Sequence, residues 1–237
     1  MDRMTLFKRG SESSRDYAYH IIKHNILNLS LEPGMSISET DMSDKLELSR
    51  TPVREAFIQL SEEGLIDIYP QKGSFVSLID LEQVKEARFL REVLEVAVVE
   101  AACGSFTEED LFEMEALIEH QKQYNDKKEY AKLHELDEQF HHLLFSKCGK
   151  QRTWAFIQQN HAHYKRIRLL LLTVYFDWEA IIRQHTRIMG FIREADHQSA
   201  KEEMKEHLRY LIIENDELIQ QHSDFFRYPK STGEIWF

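Results

Sequence analysis

Hydrophobic and polar positions in the first part of the chain follow a helical period. Apolar side chains in residues 14–29 recur every three or four positions, which predicts an amphipathic helix capped by Ser13 or Ser14. Similar but shorter patterns predict helices at 39–46 and 50–63. Three short helices in succession are therefore expected before residue 64.

The pattern then changes to a period of two. LIDIY at 65–69 and SFVSL at 74–78 alternate in the way that half-buried strands do. The residues between them, PQKG at 70–73, are typical of a turn. A two-stranded hairpin is therefore predicted directly after the third helix.

From residue 80 onward the pattern is almost purely helical. Short junctions rich in Gly, Ser, Asn and Asp separate long amphipathic segments, which is typical of an antiparallel bundle. The predicted helices are 80–103, 107–125, 128–147, 151–174, 178–195 and 199–221. The aromatic-rich end, HSDFFRYPKSTGEIWF, is expected to pack on this bundle or on a partner subunit.

Three helices followed by a hairpin are typical of a winged helix-turn-helix, in which the second and third helices are joined by a short turn, here residues 47–49. The predicted fold is therefore mainly α: a winged helix-turn-helix DNA-binding domain at 1–78 and an all-helical bundle at 79–237. At the tip of the wing, Lys72 and Gly73 could approach the DNA backbone or the minor groove.

The third helix begins with the chemistry of a DNA-reading element. Ser49 is placed to cap it, and Pro52 falls in the first turn, where no backbone N–H is required. Arg50 and Arg54 share one face, and either could make the two-pronged contact to guanine. Thr51 lies between them and completes the predicted DNA-contacting set. The opposite face is apolar and is expected to pack on the first two helices: Val53, Ala56, Phe57 and Leu60.

Charge and cysteine content limit the alternatives. The net charge is −11, so any DNA contact must come from a small local patch and not from the overall field of the protein. Cys103 and Cys148 have no CxxC spacing and are expected to be reduced thiols. Because neither a signal sequence nor an apolar run of membrane-spanning length is seen, we expect a cytoplasmic protein without a membrane partner.

Several polar side chains fall on apolar faces of the bundle helices. Asp137 and His141 are four residues apart on one face, and His185 and His207 lie on the faces of two other helices. Buried groups of this kind need partners, so they either pair with one another or share a divalent metal such as Zn, Ni, Mn or Fe. The remaining histidines are expected at the surface or at an interface: His20, His24, His120, His134, His142, His161, His163, His197 and His222.

The N-terminal motifs resemble those of GntR-family bacterial transcription regulators. The resemblance covers about sixty-five residues, PGMSISETDMSDKLELSRTPVREAFIQLSEEGLIDIYPQKGSFV at its centre, with the PG turn, the SRTPVREA core and the wing glycine in order. It implies a winged helix-turn-helix that binds double-stranded operator DNA.

The bundle resembles the FCD-type effector domain of the FadR subfamily, through FLREVLEVAVVEAA, DEQFHHLLF and QHTRIMGFIREADHQSAKEEMKEHL. This resemblance implies a divalent metal bound by Asp137, His141, His185 and His207. It also implies that Arg91 faces a small organic acid effector, whose carboxylate the metal anchors. Gln184, directly before His185, stands where a glutamate is more usual.

These features together predict a metabolite-responsive transcription regulator, most simply a repressor. A homodimer formed through the helical domains would present two recognition helices to a near-palindromic site. The acid would favour one arrangement of the DNA-binding domains and so change operator affinity.

Two kinds of alternative are kept. Glu138-x-x-His141 and Glu194-x-x-His197 superficially resemble the motifs of a di-iron carboxylate enzyme, although His197 falls at a helix break and Glu138 lies off the face that Asp137 and His141 share. A mononuclear hydrolase with an open metal position is a second enzymatic alternative, for which no general base is evident. The other kind is a protein that binds DNA constitutively and whose metal is structural or vestigial.

Overall fold

The computed structural model describes residues 4–6, 10–174, 177–210 and 216–227. By contacts between residues, the described chain divides into two compact units. The first contains the residues up to Glu82 together with those from Asp216 onward, and the second contains those from Gln83 to Tyr210. Each unit has its own buried core.

The first unit contains the three predicted short helices, α1 (Ser14–Leu27), α2 (Glu39–Leu46) and α3 (Arg50–Glu62). The Ser13 side chain accepts the backbone N–H of Asp16, which confirms one of the two predicted caps of α1. The apolar face of α3 is buried as expected, and α3 packs on α1 and α2. Burying a side chain the size of Phe57 contributes about 1.5–3 kcal/mol to this packing.

The wing follows α3 as predicted, but its sheet is larger. Among the described residues it has three antiparallel strands in the order β1-β3-β2: β1 (Ser36–Ile37), β2 (Ile66–Tyr69) and β3 (Gly73–Val76). The pairing of Ile66 with Val76 and Tyr69 with Gly73 closes the hairpin. The strand β1 was not predicted, because a segment of two residues between turn and cap carries too little periodicity to be recognised.

The end of the described chain also belongs to the first unit. After α11 (Asp216–Gln221) and a 3-10 turn (Ser223–Phe225), β5 (Phe226–Arg227) pairs in parallel with β4 (Ile79–Asp80). The expectation that the C-terminal aromatics pack on the bundle or on a partner subunit is therefore wrong for Phe226, which is buried in the first unit. The rest of that segment, 228–237, lies outside the described residues.

The second unit is the predicted helical bundle. Its helices are α4 (Leu81–Ser105), whose first two residues belong to the first unit, α5 (Glu108–Asp126), α6 (Tyr130–Lys147), α7 (Gln151–Asn160), α8 (Ala162–Val174), α9 (Trp178–Arg193) and α10 (His197–Tyr210). Packing of α5 against α6 and α9, and of α9 against α10, forms the central core. None of the described helices is long and apolar enough to cross a membrane.

Two predicted helix limits are wrong. The segment 151–174 is interrupted at His161, whose Nδ1 contacts the carbonyl of Gln158 while the Asn160 side chain donates to the carbonyl of Phe156. Such side-chain contacts to nearby backbone compete with the helical pattern. The predicted helix 199–221 begins earlier, at His197; its residues 211–215 lie outside the described part of the chain.

Candidate metal centre and nucleic-acid interface

The first turn of α3 presents its polar side chains to solvent. Ser49, Arg50, Thr51 and Arg54 are all exposed. Ser49 occupies the N-cap position by its backbone angles, but its side chain makes no capping hydrogen bond, so its predicted role as a side-chain cap is wrong. The first backbone N–H groups of α3 are consequently not satisfied by this hydroxyl.

Neither arginine is committed to a partner in the protein. Among the described residues, Arg50 and Arg54 form no ion pair, whereas most other arginines do. Val53, Ala56 and Phe57 are buried on the opposite face and fix the direction of the helix. The arrangement leaves two guanidinium groups on a rigid helix start, free to bind an external acceptor.

The tip of the wing is also exposed to solvent. Lys72 and Gly73 are both exposed, and the backbone N–H of Lys72 donates to the carbonyl of Tyr69 at 3.1 Å to close the turn. Gln71 and Gly73 have φ angles of 63° and 107°. The Gly73 angle is one that residues with a Cβ rarely adopt, which explains a glycine at this point.

The structure brings the four predicted metal-ligating residues together in the second unit. Asp137 and His141 of α6, His185 of α9 and His207 of α10 are all fully buried, and one ligand atom of each lies within 4.8 Å of all the others. The Nε2 atoms of His141 and His207 are 3.2 Å apart, and those of His185 and His207 are 3.4 Å apart. Asp137 Oδ1 lies 3.7 Å from His185 Nε2.

The outer nitrogen of each imidazole contacts an acceptor. His185 Nδ1 donates to Gln121 Oε1 at 2.9 Å, and the Gln121 amide is oriented by its Nε2, which donates to the carbonyl of Leu136. His207 Nδ1 donates to Gln184 Oε1 at 3.1 Å. These contacts place the proton on Nδ1, so Nε2 carries the lone pair.

The third imidazole is oriented by a carboxylate. His141 Nδ1 lies 2.5 Å from Glu95 Oε2, which again assigns the proton to Nδ1 and the lone pair to Nε2. Three Nε2 lone pairs and Asp137 Oδ1, which has no hydrogen-bond partner among the described residues, therefore converge on one point. Four acceptors without a donor are unfavourable in a buried site unless a cation binds between them, so these residues fit a divalent metal.

The protonation states suit metal binding. Burial lowers the pKa of His185 to about 3, and burial together with the neighbouring imidazoles holds the pKa of His207 well below its usual value. Burial alone would raise the pKa of Asp137, but the Arg168 guanidinium and the imidazoles outweigh it and hold that pKa well below its usual range. Neutral imidazoles and an ionised carboxylate are the forms in which these groups ligate metals.

A buried cluster of charged residues adjoins the metal-ligating residues. Arg91 contacts Glu95, so Glu95 joins Arg91 to His141. Arg168 donates to Asp137 and, at 2.6 Å, to Glu138. Burial favours the neutral forms, but the two arginines outweigh it and lower the pKa values of Glu95 and Glu138, so the cluster stays ionised.

Three hydrogen-bond donors in this cluster have no acceptor among the described residues. They are Arg91 Nη2, Arg168 Nε and the Tyr164 hydroxyl. The Tyr164 ring lies between the two arginines, with its centroid 5.5 Å from the Arg91 Cζ and 5.7 Å from the Arg168 Cζ. Buried donors without acceptors are costly, so this cluster is suited to a ligand rich in acceptor atoms.

Three of the histidines expected at the surface are buried instead: His134, His161 and His163. Burial lowers the pKa values of His134 and His161 to about 4, so both are neutral near pH 7. The charge of Arg168 adds to the lowering of the His134 pKa, whereas the charge of Glu138 opposes the lowering of the His161 pKa. Spacing alone did not show this burial, since the helix break at His161 was not predicted.

Glu138 and His197 of the di-iron motifs do not join His141 in the cluster of candidate ligands. Glu138 binds Arg168 and Gln158, and its pKa is governed by arginines. His197 is exposed, with Nδ1 at 3.1 Å from the carbonyl of Glu100. The group of metal-ligating residues found in the described part of the chain contains neither of them.

A winged helix-turn-helix with two arginines free at the start of its third helix is the architecture of a DNA-binding transcription regulator. Comparison with known families agrees. Residues 15–76 match the bacterial regulatory proteins of the gntR family, and residues 86–210 match the FCD domain. The chain therefore belongs to the GntR family of transcription regulators, with an FCD domain, and this is a family of regulators and not of enzymes.

Individual relatives support the assignment over most of the chain. The HTH-type transcriptional repressor RspR of Escherichia coli (strain K12) is 33% identical over 208 residues, which cover 88% of this chain and 91% of that protein. An uncharacterized HTH-type transcriptional regulator of Streptomyces ambofaciens is 32% identical over 215 residues, covering 90% and 89%. The structure of E. coli McbR/YncC has a TM-score of 0.73 at 20% identity, over 89% of this chain and 99% of that one, and shows the common fold.

Proposed function

We propose that this regulator is a homodimeric repressor whose helical unit binds one divalent metal and a small organic acid, and whose operator affinity depends on them. The observation that carries the proposal is the convergence of three imidazole lone pairs and one carboxylate oxygen without a donor. Repression is proposed because RspR, which is similar over most of the chain, is named a repressor.

The DNA-binding surface is proposed to be the start of α3 and the tip of the wing. Arg50 and Arg54 would contact base edges in the major groove, and Ser49 and Thr51 would contact the adjacent phosphate, where the positive end of the helix dipole helps. Lys72 and Gly73 would lie against the backbone or the minor groove. A dimer would place two such surfaces on the halves of a near-palindromic site in cytoplasmic, chromosomal DNA.

The metal would be held by Asp137, His141, His185 and His207. When bound, it supplies a positive centre that can attract a carboxylate through a remaining coordination position. Gln121, Gln184 and Glu95 orient the three imidazoles toward it, and such supporting contacts commonly contribute as much as a factor of 10–100 in metal affinity. Zn, Ni, Mn and Fe all suit this set of ligands.

The acid would bind between the metal and the arginine cluster. Arg91, with Arg168 and the Tyr164 hydroxyl, offers donors that no described side chain accepts. Two arginines and three carboxylates give the cluster one net negative charge, which a divalent ion would convert to one net positive charge. A monoanionic acid would neutralise the loaded site, so we propose this charge class for the effector.

The proposal is tested by selecting DNA from a random pool with the purified full-length chain, then measuring affinity for the selected sequence with and without chelator. We expect a near-palindromic sequence, one metal ion per chain by mass spectrometry, and an affinity that changes when a small monocarboxylate is added to the metal-loaded protein. A chain that binds its selected DNA identically with metal, without metal and with every acid would instead be a constitutive DNA-binding protein.

A further inference from the structure

Two buried histidines of the second unit have no part in the proposed metal site. His134 is 8% exposed and His161 is 3% exposed. Among the described residues, both ring nitrogens of His134 and the Nε2 of His161 have no hydrogen-bond partner. Both rings are neutral near pH 7, so each has one nitrogen with a proton and one with a lone pair. Buried polar atoms without partners are rare in proteins and indicate that something else binds to them.

His161 is joined to the arginine cluster through Gln158 and Glu138. Its Nδ1 lies 3.0 Å from the carbonyl oxygen of Gln158, and the Gln158 side chain donates to Glu138 Oε2 at 3.2 Å. The other oxygen of Glu138 accepts from Arg168 at 2.6 Å. Because a carbonyl oxygen can only accept, the contact with Gln158 places the ring proton of His161 on Nδ1. The Nε2 of His161 is therefore a buried acceptor to which no described group donates.

His134 shares a face of α6 with two carboxylates of the cluster. It precedes Asp137 by three residues and Glu138 by four, which are the spacings at which side chains on a helix are neighbours. Burial and the charge of Arg168 both lower its pKa, as expected for a ring close to that guanidinium. A neutral imidazole without partners offers one donor and one acceptor, so His134 adds a second unpaired acceptor to the cluster.

In the described part of the chain, the cluster thus contains unpaired atoms of two kinds. The donors are Arg91 Nη2, Arg168 Nε and one nitrogen of His134. The acceptors are His161 Nε2 and the other nitrogen of His134, and the Tyr164 hydroxyl can serve as either. A carboxylate by itself supplies only acceptors, so it satisfies the donors and leaves the two imidazole acceptors buried without a partner. A ligand that carries hydroxyl groups beside its carboxylate satisfies both kinds.

We propose that His134 and His161 select the effector by accepting hydrogen bonds from its hydroxyl groups, so that the acid is a monocarboxylate with at least two hydroxyls. This inference rests on the proposed function, because it takes the carboxylate to be bound by the arginines beside the metal. Hydroxyl groups add donors without adding charge, so such an acid still neutralises the loaded site. An analogue without hydroxyls leaves both acceptors buried and unpaired, and sites built to bind a hydroxyl reject such analogues strongly.

Three acids of equal charge and chain length separate hydroxyl recognition from charge recognition. Propionate, lactate and glycerate are three-carbon monoanions with no, one and two hydroxyls, and the last two are used as racemates. Their affinities for the Zn²⁺-loaded full-length chain are measured by calorimetry and by the rise in melting temperature with acid concentration. We expect each added hydroxyl to raise the affinity about tenfold, because it supplies a donor to one buried acceptor.

Equal affinities for the three acids would overturn hydroxyl recognition and leave the proposed acid site in place. A chain to which none of the three acids binds would contradict the proposed acid site as well. These two failures are therefore distinguishable in the same set of titrations.

Substitution of each histidine tests its role in selection. His161→Phe and His134→Leu each remove one acceptor, so each should lower the affinity for glycerate about tenfold and leave the affinity for propionate unchanged. The matched control is His142→Phe, at an exposed position of α6, which should bind both acids as the wild type does. A ring that only supports the fold would change both affinities together. Unchanged glycerate binding in both variants, or equal losses for the two acids, would overturn the proposal.

Nitrogen-15 spectra of the histidine rings give an independent measurement. The signals of His161 are assigned by their absence from the spectrum of His161→Phe. The Nε2 signal of the wild type should move when glycerate binds, because a hydroxyl then donates to this lone pair, and it should stay in place with propionate. An Nε2 signal that responds equally to both acids, or to neither, would contradict a hydroxyl contact at His161.

Discussion

The Nε2 atoms of His141 and His207 lie 3.2 Å apart, although neither carries a proton that could bond to the other. The Nδ1 atom of each ring faces away from the other ring: that of His207 donates to Gln184 Oε1, and that of His141 lies 2.5 Å from Glu95 Oε2. Two lone pairs at this separation repel in the absence of a cation. A cation bound between them would remove this repulsion, so under the proposed function metal occupancy should raise the stability of the bundle.

Replacing one ligand should remove stoichiometric metal binding. His207→Gln eliminates one of the four converging ligand atoms and keeps a polar side chain of similar size. We expect less than one ion per chain after dialysis, and the rise in melting temperature that metal gives the wild type should disappear. Metal content is measured by mass spectrometry. The matched control is His120→Gln, an exposed histidine outside the cluster, which should retain full occupancy.

Removing the support of one ligand should weaken metal binding without abolishing it. Gln121→Leu deletes the acceptor for His185 Nδ1, so the ring can turn or change its tautomer. The expected loss is about 10–100-fold in affinity, measured by competition with a chelator of known affinity. Gln151→Leu, in the exposed first turn of α7, is the control. An unchanged affinity for Gln121→Leu would show that the supporting hydrogen bond does not orient His185.

The clustering of the four candidate metal ligands could be predicted from the sequence because each replaces an apolar residue on a helical face. Asp137 and His141 share the buried stripe of α6, and His185 and His207 interrupt apolar stripes of α9 and α10. A polar residue on a buried helical face is unfavourable unless it has a polar partner, so such positions indicate residues that interact with one another or with a ligand. The helix-turn-helix could also be predicted from the sequence, because its turn, its proline and its two arginines lie close together along the chain.

The supporting residues could not be assigned in the same way. Glu95, Gln121 and Arg168 are also buried, but on helices whose rotation relative to α6 depends on packing of the whole unit. Gln184, which stands where a glutamate is more usual, is one example. Its position in the sequence suggests that it supports its neighbour His185, whereas its side chain contacts His207. The pairing of β5 with β4 is another, since parallel pairing over a long sequence separation leaves no local signal.

The two parts of the proposed DNA surface should respond differently to mutation. Arg54→Ala should cost about 1–3 kcal/mol of operator affinity and relax the preference at one base position, because a bidentate contact to guanine is lost. Lys72→Ala should weaken binding to all sequences about equally and reduce the salt dependence by about one counterion per contact. Fluorescence anisotropy at several salt concentrations, with the selected site and single-base variants, separates the two effects.

A mutation on the buried face of α3 provides the structural comparison for these variants. Phe57→Ala should destabilise the first unit by about 3–5 kcal/mol through lost packing, whereas Arg54→Ala should leave the melting temperature unchanged. If Arg54→Ala bound all sequences as the wild type does, α3 would not read bases through this residue.

The charge of the buried cluster predicts which acids bind. With a divalent metal, the contacts among Arg91, Arg168 and their three carboxylate partners leave one net positive charge. A monocarboxylate such as lactate neutralises this charge, while a dicarboxylate such as malate leaves a buried negative charge without a partner. We expect monocarboxylates to raise the melting temperature of the metal-loaded protein, at concentrations about tenfold or more below those needed for dicarboxylates of similar size.

Variants of the cluster test the same charge count from the protein side. Arg91→Gln removes one positive charge and one unsatisfied donor, so the loaded site becomes neutral and its affinity for monocarboxylates should fall about tenfold or more. Arg209→Gln removes an arginine whose partner, Glu92, also lies on α4, but this pair is at the surface and acid binding should persist. A preference for dicarboxylates in the wild type, or equal acid binding in both variants, would contradict a site for monoanions at Arg91. The reason is that removing a buried positive charge changes the ligand charge that the site can neutralise.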